Sequence, residues 1–388
     1  MSKVKILCVG IGGYANVYLE ALLHSKADNF EIAGLVDINP KGCKFLNDLK
    51  DVPLYSDMED FYDQQRADLC IITTPINLHT EQILTALRNG SNVMCEKPLS
   101  GKSDDERIIE EQSSRSGKFV SIGFQWSFSD AINNLKNDII KGIYGKPEFL
   151  KSIVLWPRPK EYYTRGSGWA GRIKASDGTP INDSVANNAT AHYLHNMLYV
   201  LGGVYGRSSE VTDLYAELLR VNDIENFDSA VIKFRSDCGA ECLFIASHST
   251  QNIKEPCFEY RFENGTVYYD DSEKCVYGKL KDGTVIEYGN PFFDINKKIF
   301  DAIEGCISGN YIPPCSAKTA APQVRCIEKV QKNKIYNVRS GLIKTKVKYN
   351  DNFLYVEGLD EILLKCYEEE KTISELNELE KLVDIDEA

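Results

Sequence analysis

Nowhere does the chain carry an uninterrupted apolar stretch of about 20 residues, so no segment reads as a membrane-spanning helix. It also lacks clustered cations. Its 45 Lys and Arg are outnumbered by 57 Asp and Glu, giving a net charge of −12. That balance disfavours a nucleic acid as partner, because binding a phosphate backbone needs a basic patch. No Cys-x-x-Cys occurs, and the 12 cysteines are scattered. Cys8, Cys70 and Cys95 sit inside apolar runs and read as small buried hydrophobes. Cys238 and Cys242 are four apart with no histidine close by, which argues against zinc. No metal site is expected. Met1-Ser2-Lys3-Val4-Lys5 followed by the short apolar run 6–9 does not read as a secretory leader, and a reducing cytoplasm fits the free thiols. Internal repeats and low-complexity linkers are absent too.

What is present is a globular balance of 43% hydrophobic and 26% charged residues over 388 positions, long enough for two domains. The first part alternates short apolar runs (3–9, 30–36, 69–72, 92–95, 119–124) with helical periodicities (14–25, 41–49, 80–89, 104–116). Such alternation implies a parallel sheet with helical crossovers on both faces. Beyond it, a helix over 129–141, a long strand over 148–156 and an apolar helix over 187–201 precede a series of strands (211–219, 229–235, 241–246, 258–262, 266–269). Asn264-Gly265 and Lys281-Asp282-Gly283-Thr284 are turn signals between such runs, the pattern of an antiparallel sheet. Helices over 294–308 and 320–332 follow, and the acidic tail from Glu368 is helical in pattern until it frays. The division expected is 1–126 and 127–388.

Directly after the first strand comes Val9-Gly10-Ile11-Gly12-Gly13-Tyr14-Ala15, a Gly-x-Gly-x-x-Ala motif opening a helix. Gly10 permits the tight turn, Gly12 lets backbone approach a pyrophosphate, and Ala15 keeps the helix close to the sheet. Gly13 and Tyr14 complete a helix N-terminus whose N–H groups suit phosphates. Alone, such a motif reads equally as a glycine-rich turn; the flanking strand and helix, and an acid at the end of the next strand, point to a dinucleotide. That acid is Asp37. It would accept from the adenosine ribose and repel a 2′-phosphate, and Ile38 and Asn39 follow it without a cation, so NAD is favoured over NADP. The alternative for Asp37 is a helix cap. Thr73-Thr74-Pro75-Ile76-Asn77 with His79, and Glu96-Lys97-Pro98, each follow a strand end, where open α/β sheets bind ligands.

These motifs at this spacing resemble the glucose–fructose oxidoreductase/inositol dehydrogenase (Gfo/Idh/MocA) family. The resemblance is strong through about Gln125, recurs around His192 and is weak in the last ~50 residues. It implies an α/β Rossmann doubly wound parallel sheet followed by an α+β domain with a large, mostly antiparallel open sheet. It also implies oligomer contacts through that sheet, in a homo-dimer or homo-tetramer, and oxidation of sugars, inositols or related compounds. The family's lysine falls on Lys97. An ammonium there can position a substrate hydroxyl, relay its proton and stabilise a developing alkoxide. Without the resemblance Lys97 reads as well as a surface lysine before a turn-forming proline. Glu96 is expected on the nicotinamide-side ribose, with Gln125 and Trp126 near the nicotinamide and Trp126 facing substrate.

The family usually carries Asp-x-x-x-His on the helix over 187–201. His192 matches; the acid position holds Asn188, a departure that weakens the imidazole as a base or shifts proton work to Lys97. Asp183 could supply the missing carboxylate. His192 and His195 each have a bland alternative as buried core histidines. The segment 156–180 is the expected specificity region, with Arg158, Tyr162, Arg165, Trp169 and Arg172 for a small carbohydrate-like substrate. Aromatic faces stack on sugar rings and guanidinium forks bind anions or vicinal hydroxyls. Packing of that segment on its own domain is the competing reading. The leading function is an NAD-dependent dehydrogenase acting on CH–OH groups. The alternatives are a redox-neutral glycoside-cleaving enzyme with tightly held NAD and a non-catalytic dinucleotide sensor.

Overall fold

The computed structural model describes residues 3–164, 168–348 and 351–384. The chain begins with β1 (Val4–Val9), α1 (Ala15–Leu23), β2 (Phe30–Val36), β3 (Leu54–Tyr55), α2 (Met58–Gln64), β4 (Leu69–Ile72), α3 (His79–Arg88), β5 (Asn92–Cys95), α4 (Asp105–Ser116) and β6 (Val120–Ile122). The six strands pair in parallel in the order β3-β2-β1-β4-β5-β6. All four residues of β4 and of β5 are buried, as a strand covered on both faces requires. The strand order reverses between β1 and β4. This is the point at which an open α/β sheet leaves a crevice beyond its strand ends.

One expected helix is not there. Residues 41–49 form a 3-10 turn, Pro40–Gly42, and then further turns. The Asn16 side chain explains this locally: its Nδ2 donates to the Gly42 carbonyl at 3.1 Å and its Oδ1 accepts from Lys44 N at 2.7 Å. Backbone groups that a helix would use are thus taken by a side chain. Conversely, β3 and α2 arise where no element was expected. Asp57 caps α2 by accepting from Glu59 N at 2.8 Å, and Met58, Phe61 and Tyr62 are buried behind it.

The next elements are α5 (Asp130–Ile140), β7 (Pro147–Leu155), α6 (Glu161–Thr164), α7 (Ala191–Leu201), β8 (Val211–Arg220), β9 (Ser229–Ser236), β10 (Glu241–Ser247), β11 (Lys254–Phe262), β12 (Gly265–Asp270), β13 (Cys275–Leu280) and β14 (Val285–Gly289). Then come α8 (Lys297–Ser308), α9 (Ala317–Val330), β15 (Ile335–Asn337), β16 (Ile343–Lys348), β17 (Asp351–Val356), α10 (Leu359–Glu369) and α11 (Leu379–Leu382). A nine-stranded sheet runs β14-β13-β12-β11-β7-β10-β9-β8-β15, antiparallel except at β7/β10 and β8/β15. Its last seven β7 residues are all buried.

The sheet is open at its edges, but one face is not available as expected. Phe149, Ile153, Leu155, Leu243 and Ile245 pack under Val356, Leu359, Leu363 and Cys366 of the chain's own tail. Buried acids pin this cover. Glu217 on β8 accepts from Ile373 N at 2.6 Å and Ser374 N at 3.0 Å, and Asp360 accepts from Gln251 N at 2.8 Å and Asn252 N at 2.7 Å. The weak resemblance of the last residues to the family hid this arrangement.

Two compact units result: Met1–Phe128 with Asp294–Ala321, and Ser129–Phe293 with Pro322–Ala388. The expected consecutive division at 126/127 misses the returning segment. Its helix α8 buries Ile299, Ala302 and Ile303 in the core built by Ile6, Leu69, Ile71 and Met94. An amphipathic period shows that a helix has a core face but not which of two cores takes it. Among the described residues no helix is long and apolar enough to cross a membrane.

Candidate cofactor and substrate-site residues

The turn after β1 is shaped by its glycines. Gly10 has φ +74°, and a Cβ there would lie 2.9 Å from Thr74 Cγ2 and 3.1 Å from Thr74 N. Only glycine fits both the conformation and the space. Gly12 passes close to Gly42, and Gly13 has φ +57° with open space where a side chain would project. Among the described residues no acceptor takes the N–H groups of Gly12, Gly13 or Tyr14. They stand at the N-terminus of α1, where the helix dipole favours an anion, and buried Ala15 seats the helix on the sheet. This geometry fits a pyrophosphate. Tyr14 is 45% exposed, with its ring edge-on to Tyr18 at 5.7 Å.

Asp37 follows β2. Its Oδ2 accepts from Ile11 N at 2.8 Å and its Oδ1 from Asn39 N at 2.7 Å. The carboxylate therefore fixes the glycine turn to the end of β2 and makes a local turn rather than a helix cap. It stays half-exposed, with remaining lone pairs on both oxygens for ribose hydroxyls. Beyond β4, the Thr73 hydroxyl donates to the Gly10 carbonyl and Thr74 Oγ1 donates to Gln82 Oε1 at 2.5 Å. Pro75 and Asn77 are half-buried in the loop and short 3-10 turn ahead of α3. His79, expected in the cofactor set, is 1% exposed. Its Nδ1 lies 2.8 Å from the Pro98 carbonyl and its Nε2 2.9 Å from the Thr74 carbonyl. Burial lowers its pKa below the ordinary histidine value. Both ring nitrogens face backbone carbonyls of the two loops that it braces, which leaves neither for a ligand.

Glu96, at the end of β5, is 7% exposed. Its Oε1 accepts from Lys298 Nζ at 2.6 Å and from the Tyr18 hydroxyl, and its Oε2 from Lys97 N at 3.1 Å. Burial by itself would raise this carboxyl. Lys298 and then Lys97, with the hydrogen bonds, overrule that and hold it below the usual glutamate value. The Lys97–Pro98 peptide is cis and Lys97 is half-buried. Gln125 is half-buried at the start of a 3-10 turn. Trp126 corrects an expectation: it is 1% exposed, one of the largest sealed side chains, and cannot offer a face to substrate.

In the second unit, β7 and β10 end side by side because they run parallel, and Trp156 N and Arg158 N continue the pairing to the carbonyls of Ser247 and His248 at 2.8 and 3.0 Å. Arg158 stacks between the rings of Trp156 (5.6 Å) and Tyr162 (5.3 Å). Its Nε is buried with no hydrogen-bond partner among the described residues. Tyr162 lies edge-on to His248 at 5.4 Å, while the Tyr163 hydroxyl lies 3.1 Å from His248 Nδ1. Burial, with Asp228 and Tyr162 nearby, raises the Tyr163 phenol well above its ordinary pKa. Trp169 is half-buried and Arg172 exposed. Arg165 lies outside the described residues.

Two expectations for the helix over 187–201 need correction. The helix starts at Ala191, so Asn188 stands in the turns ahead of it and does not share its face with His192. Asn188 Nδ2 instead donates to Asp183 Oδ1 at 2.8 Å, and Asp183 Oδ2 accepts from Gly171 N at 2.5 Å. His195 is 1% exposed and stacked on Tyr199 at 5.8 Å. Burial, then the Lys136 ammonium, push its pKa down to about 3. It is a core histidine. His192 is the one residue of α7 left out of the buried set.

Sequence reasoning did not find Asn16, Tyr18, Lys298 or His248. Each acts through a partner distant in the chain, and no local motif announces it. Among the described residues no group of His, Cys, Asp and Glu could hold a metal ion.

A model of the oxidoreductase family, NAD-binding Rossmann fold (Gfo/Idh/MocA), matches residues 4–124. Glucose-6-phosphate 3-dehydrogenase of Bacillus subtilis is 28% identical over 179 residues, 45% of this chain and 49% of that one. Myo-inositol 2-dehydrogenase of Thermotoga maritima is 23% identical over 245 residues, 61% of this chain and 66% of that one. The chain thus spans less than two thirds of the length of these relatives. The WlbA dehydrogenase of Bordetella pertussis, solved with NADH and UDP-GlcNAcA, shares the fold with a TM-score of 0.68 at 20% identity, over 85% of this chain and 96% of that one. Residues 4–124 thus resemble the NAD-binding Rossmann fold of the Gfo/Idh/MocA oxidoreductase family.

Proposed function

We propose that this chain is an NAD-dependent oxidoreductase acting on a hydroxyl-bearing carbon of a sugar, polyol or glycoside. The observation that carries the reading is the turn at Gly10–Tyr14, with the N–H groups of Gly12, Gly13 and Tyr14 taken by no acceptor among the described residues and with its tie to Asp37. When bound, a nicotinamide accepts or returns the hydride. Gly12, Gly13 and Tyr14 hold the pyrophosphate through backbone donors, and Asp37 holds the adenosine ribose and disfavours a 2′-phosphate. Thr74, Pro75 and Asn77 line the neighbouring strand end. Lys97 positions the substrate hydroxyl and steadies the developing alkoxide, and His192, half-buried on α7, takes its proton.

Arg158 supports a substrate with an anionic or hydroxyl-rich end, since its guanidinium is stacked on aromatic rings and lacks a carboxylate bond at Nε. Tyr162, Trp169, Arg165 and Arg172 belong to the same proposed recognition segment. Self-association as a homo-dimer or homo-tetramer is part of the proposal and is read by light scattering. With the Leu243 face covered by the tail, it has to use other surfaces.

The deciding experiment incubates the full chain with NAD and a panel of sugars, sugar phosphates, uronates, polyols and glycosides. NADH accumulation with at least one of them is expected, and its loss in Lys97→Ala. A second reading, redox-neutral glycoside cleavage, draws on Asn188 standing where the family carries an acid and bonding Asp183. Aglycone release without NADH would select it. No turnover of either kind would overturn both.

A further inference from the structure

Lys298 is a lysine with almost no access to water. It is 1% exposed and sits on α8, the helix that returns to the first unit some 200 residues after Glu96. Burying an ammonium is costly unless it is paired and bonded. Here its Nζ donates to Glu96 Oε1 at 2.6 Å and to the Gly123 carbonyl at 3.1 Å. The rings of Tyr18 and Tyr14 lie 5.0 and 5.6 Å from it, close enough for cation–π attraction. The carboxylate is equally enclosed. A Cβ on Gly123 would stand 2.9 Å from Glu96 Oε1, so the pocket around that oxygen has no spare room.

We propose that Lys298 is the counter-charge of Glu96 and, through it, a positioning residue for Lys97. The link is short. Glu96 Oε2 accepts from Lys97 N at 3.1 Å, so the place of the carboxylate sets the place of the Lys97 peptide. Lys298 and the Tyr18 hydroxyl occupy the other oxygen and keep the carboxylate from rotating away. Glu96 therefore serves as the hub of the Glu-Lys-Pro turn, with its Oε1 withdrawn from ligand binding. The groups that face it are Tyr14 just ahead of α1, Tyr18 from α1, His79 from α3, Cys95 and Lys97 on either side, and Lys298 from α8. Lys97 and Lys298 are the cations among them, and Lys298 bonds the carboxylate from within the core. The role of Lys97 rests on the function proposed above; the Lys298–Glu96 pairing does not.

The test compares the full-length wild type with Lys298→Met, Glu96→Gln, Lys298→Arg and the double variant Lys298→Met/Glu96→Gln. Three readouts are taken: thermal midpoint against pH, amide exchange at Lys97, and the pH profile of turnover. In Lys298→Met the buried carboxyl loses its cation and its folded pKa rises above the unfolded value. Its midpoint then falls as pH rises through that pKa. Exchange at Lys97 should quicken, and kcat should drop by about 100-fold with a new ionisation in its profile. The double variant removes the stranded charge, so the pH slope that Lys298→Met adds to that of the wild type should disappear, and Lys298→Arg should keep most of the wild-type behaviour. A Lys298→Met protein with wild-type pH dependence and wild-type exchange at Lys97 overturns the proposal, as does a double variant with the same pH slope as Lys298→Met. A wild type that turns over no sugar would count against the proposed function alone, because the midpoint and exchange still score the pairing.

Discussion

Alanine at position 10 would have to hold a left-handed backbone while meeting Thr74 at 2.9 and 3.1 Å. We expect Gly10→Ala to cost about 1–3 kcal/mol of stability in urea unfolding and to weaken NADH binding by about tenfold or more. An unchanged affinity would remove the turn from the cofactor account. His195 gives a prediction of a different kind. Its pKa is near 3 in the folded chain and 6.5 as an ordinary histidine. Between those values the unfolded state binds the extra proton, so stability rises with pH across that window. His195 should contribute a slope of about 1.4 kcal/mol per pH unit, and His195→Phe should flatten that part of the stability curve. The shape of the Gly10 turn and the place of Asp37 were legible in the sequence because each is local to one strand end, whereas the role of Lys97 comes from the family resemblance and stands as a proposal. Lys298, Asn16 and His248 were not legible, because a buried ion pair or a capped carbonyl has no signature until the fold supplies the partner.

At the scale of elements, period and composition located most strands and helices, and failures cluster where side chains capture the backbone. The segment 41–49 has apolar residues at helical spacing, yet Asn16 claims Gly42 O and Lys44 N and leaves turns. The helix expected from residue 187 begins at Ala191, since Asn187 and Asn188 spend their amides on Asn182 O and Asp183. Asparagine competes well for such local bonds. The tail is the largest element-level surprise. Its helix α10 is held on the sheet by Leu359, Leu363 and Cys366, all fully buried. Leu363→Ala should cost about 2–5 kcal/mol in a denaturant titration, with NADH affinity unaltered. A loss below 1 kcal/mol, on the order of an exposed position, would mean the cover is not packed as described.

At the scale of the molecule, the first unit is discontinuous: Met1–Phe128 needs Asp294–Ala321. Ile299, Ala302 and Ile303 complete its core and Lys298 neutralises Glu96. Residues 1–128 expressed alone should therefore show no cooperative thermal transition, and addition of a peptide spanning 294–321 should restore one; a sharp transition in the fragment by itself would contradict this. The sequence carried the two-unit architecture in its change from alternating elements to successive strands, but no composition shift marks the place where the chain returns. The central claim remains that the glycine turn and Asp37 grip a dinucleotide without a 2′-phosphate. Titrating the full chain with NADH and with NADPH, followed by cofactor fluorescence, tests it most directly. We predict saturable NADH binding at least about tenfold tighter than NADPH, with the preference lost in Asp37→Ala; no saturable binding of either, or a preference for NADPH, would contradict it.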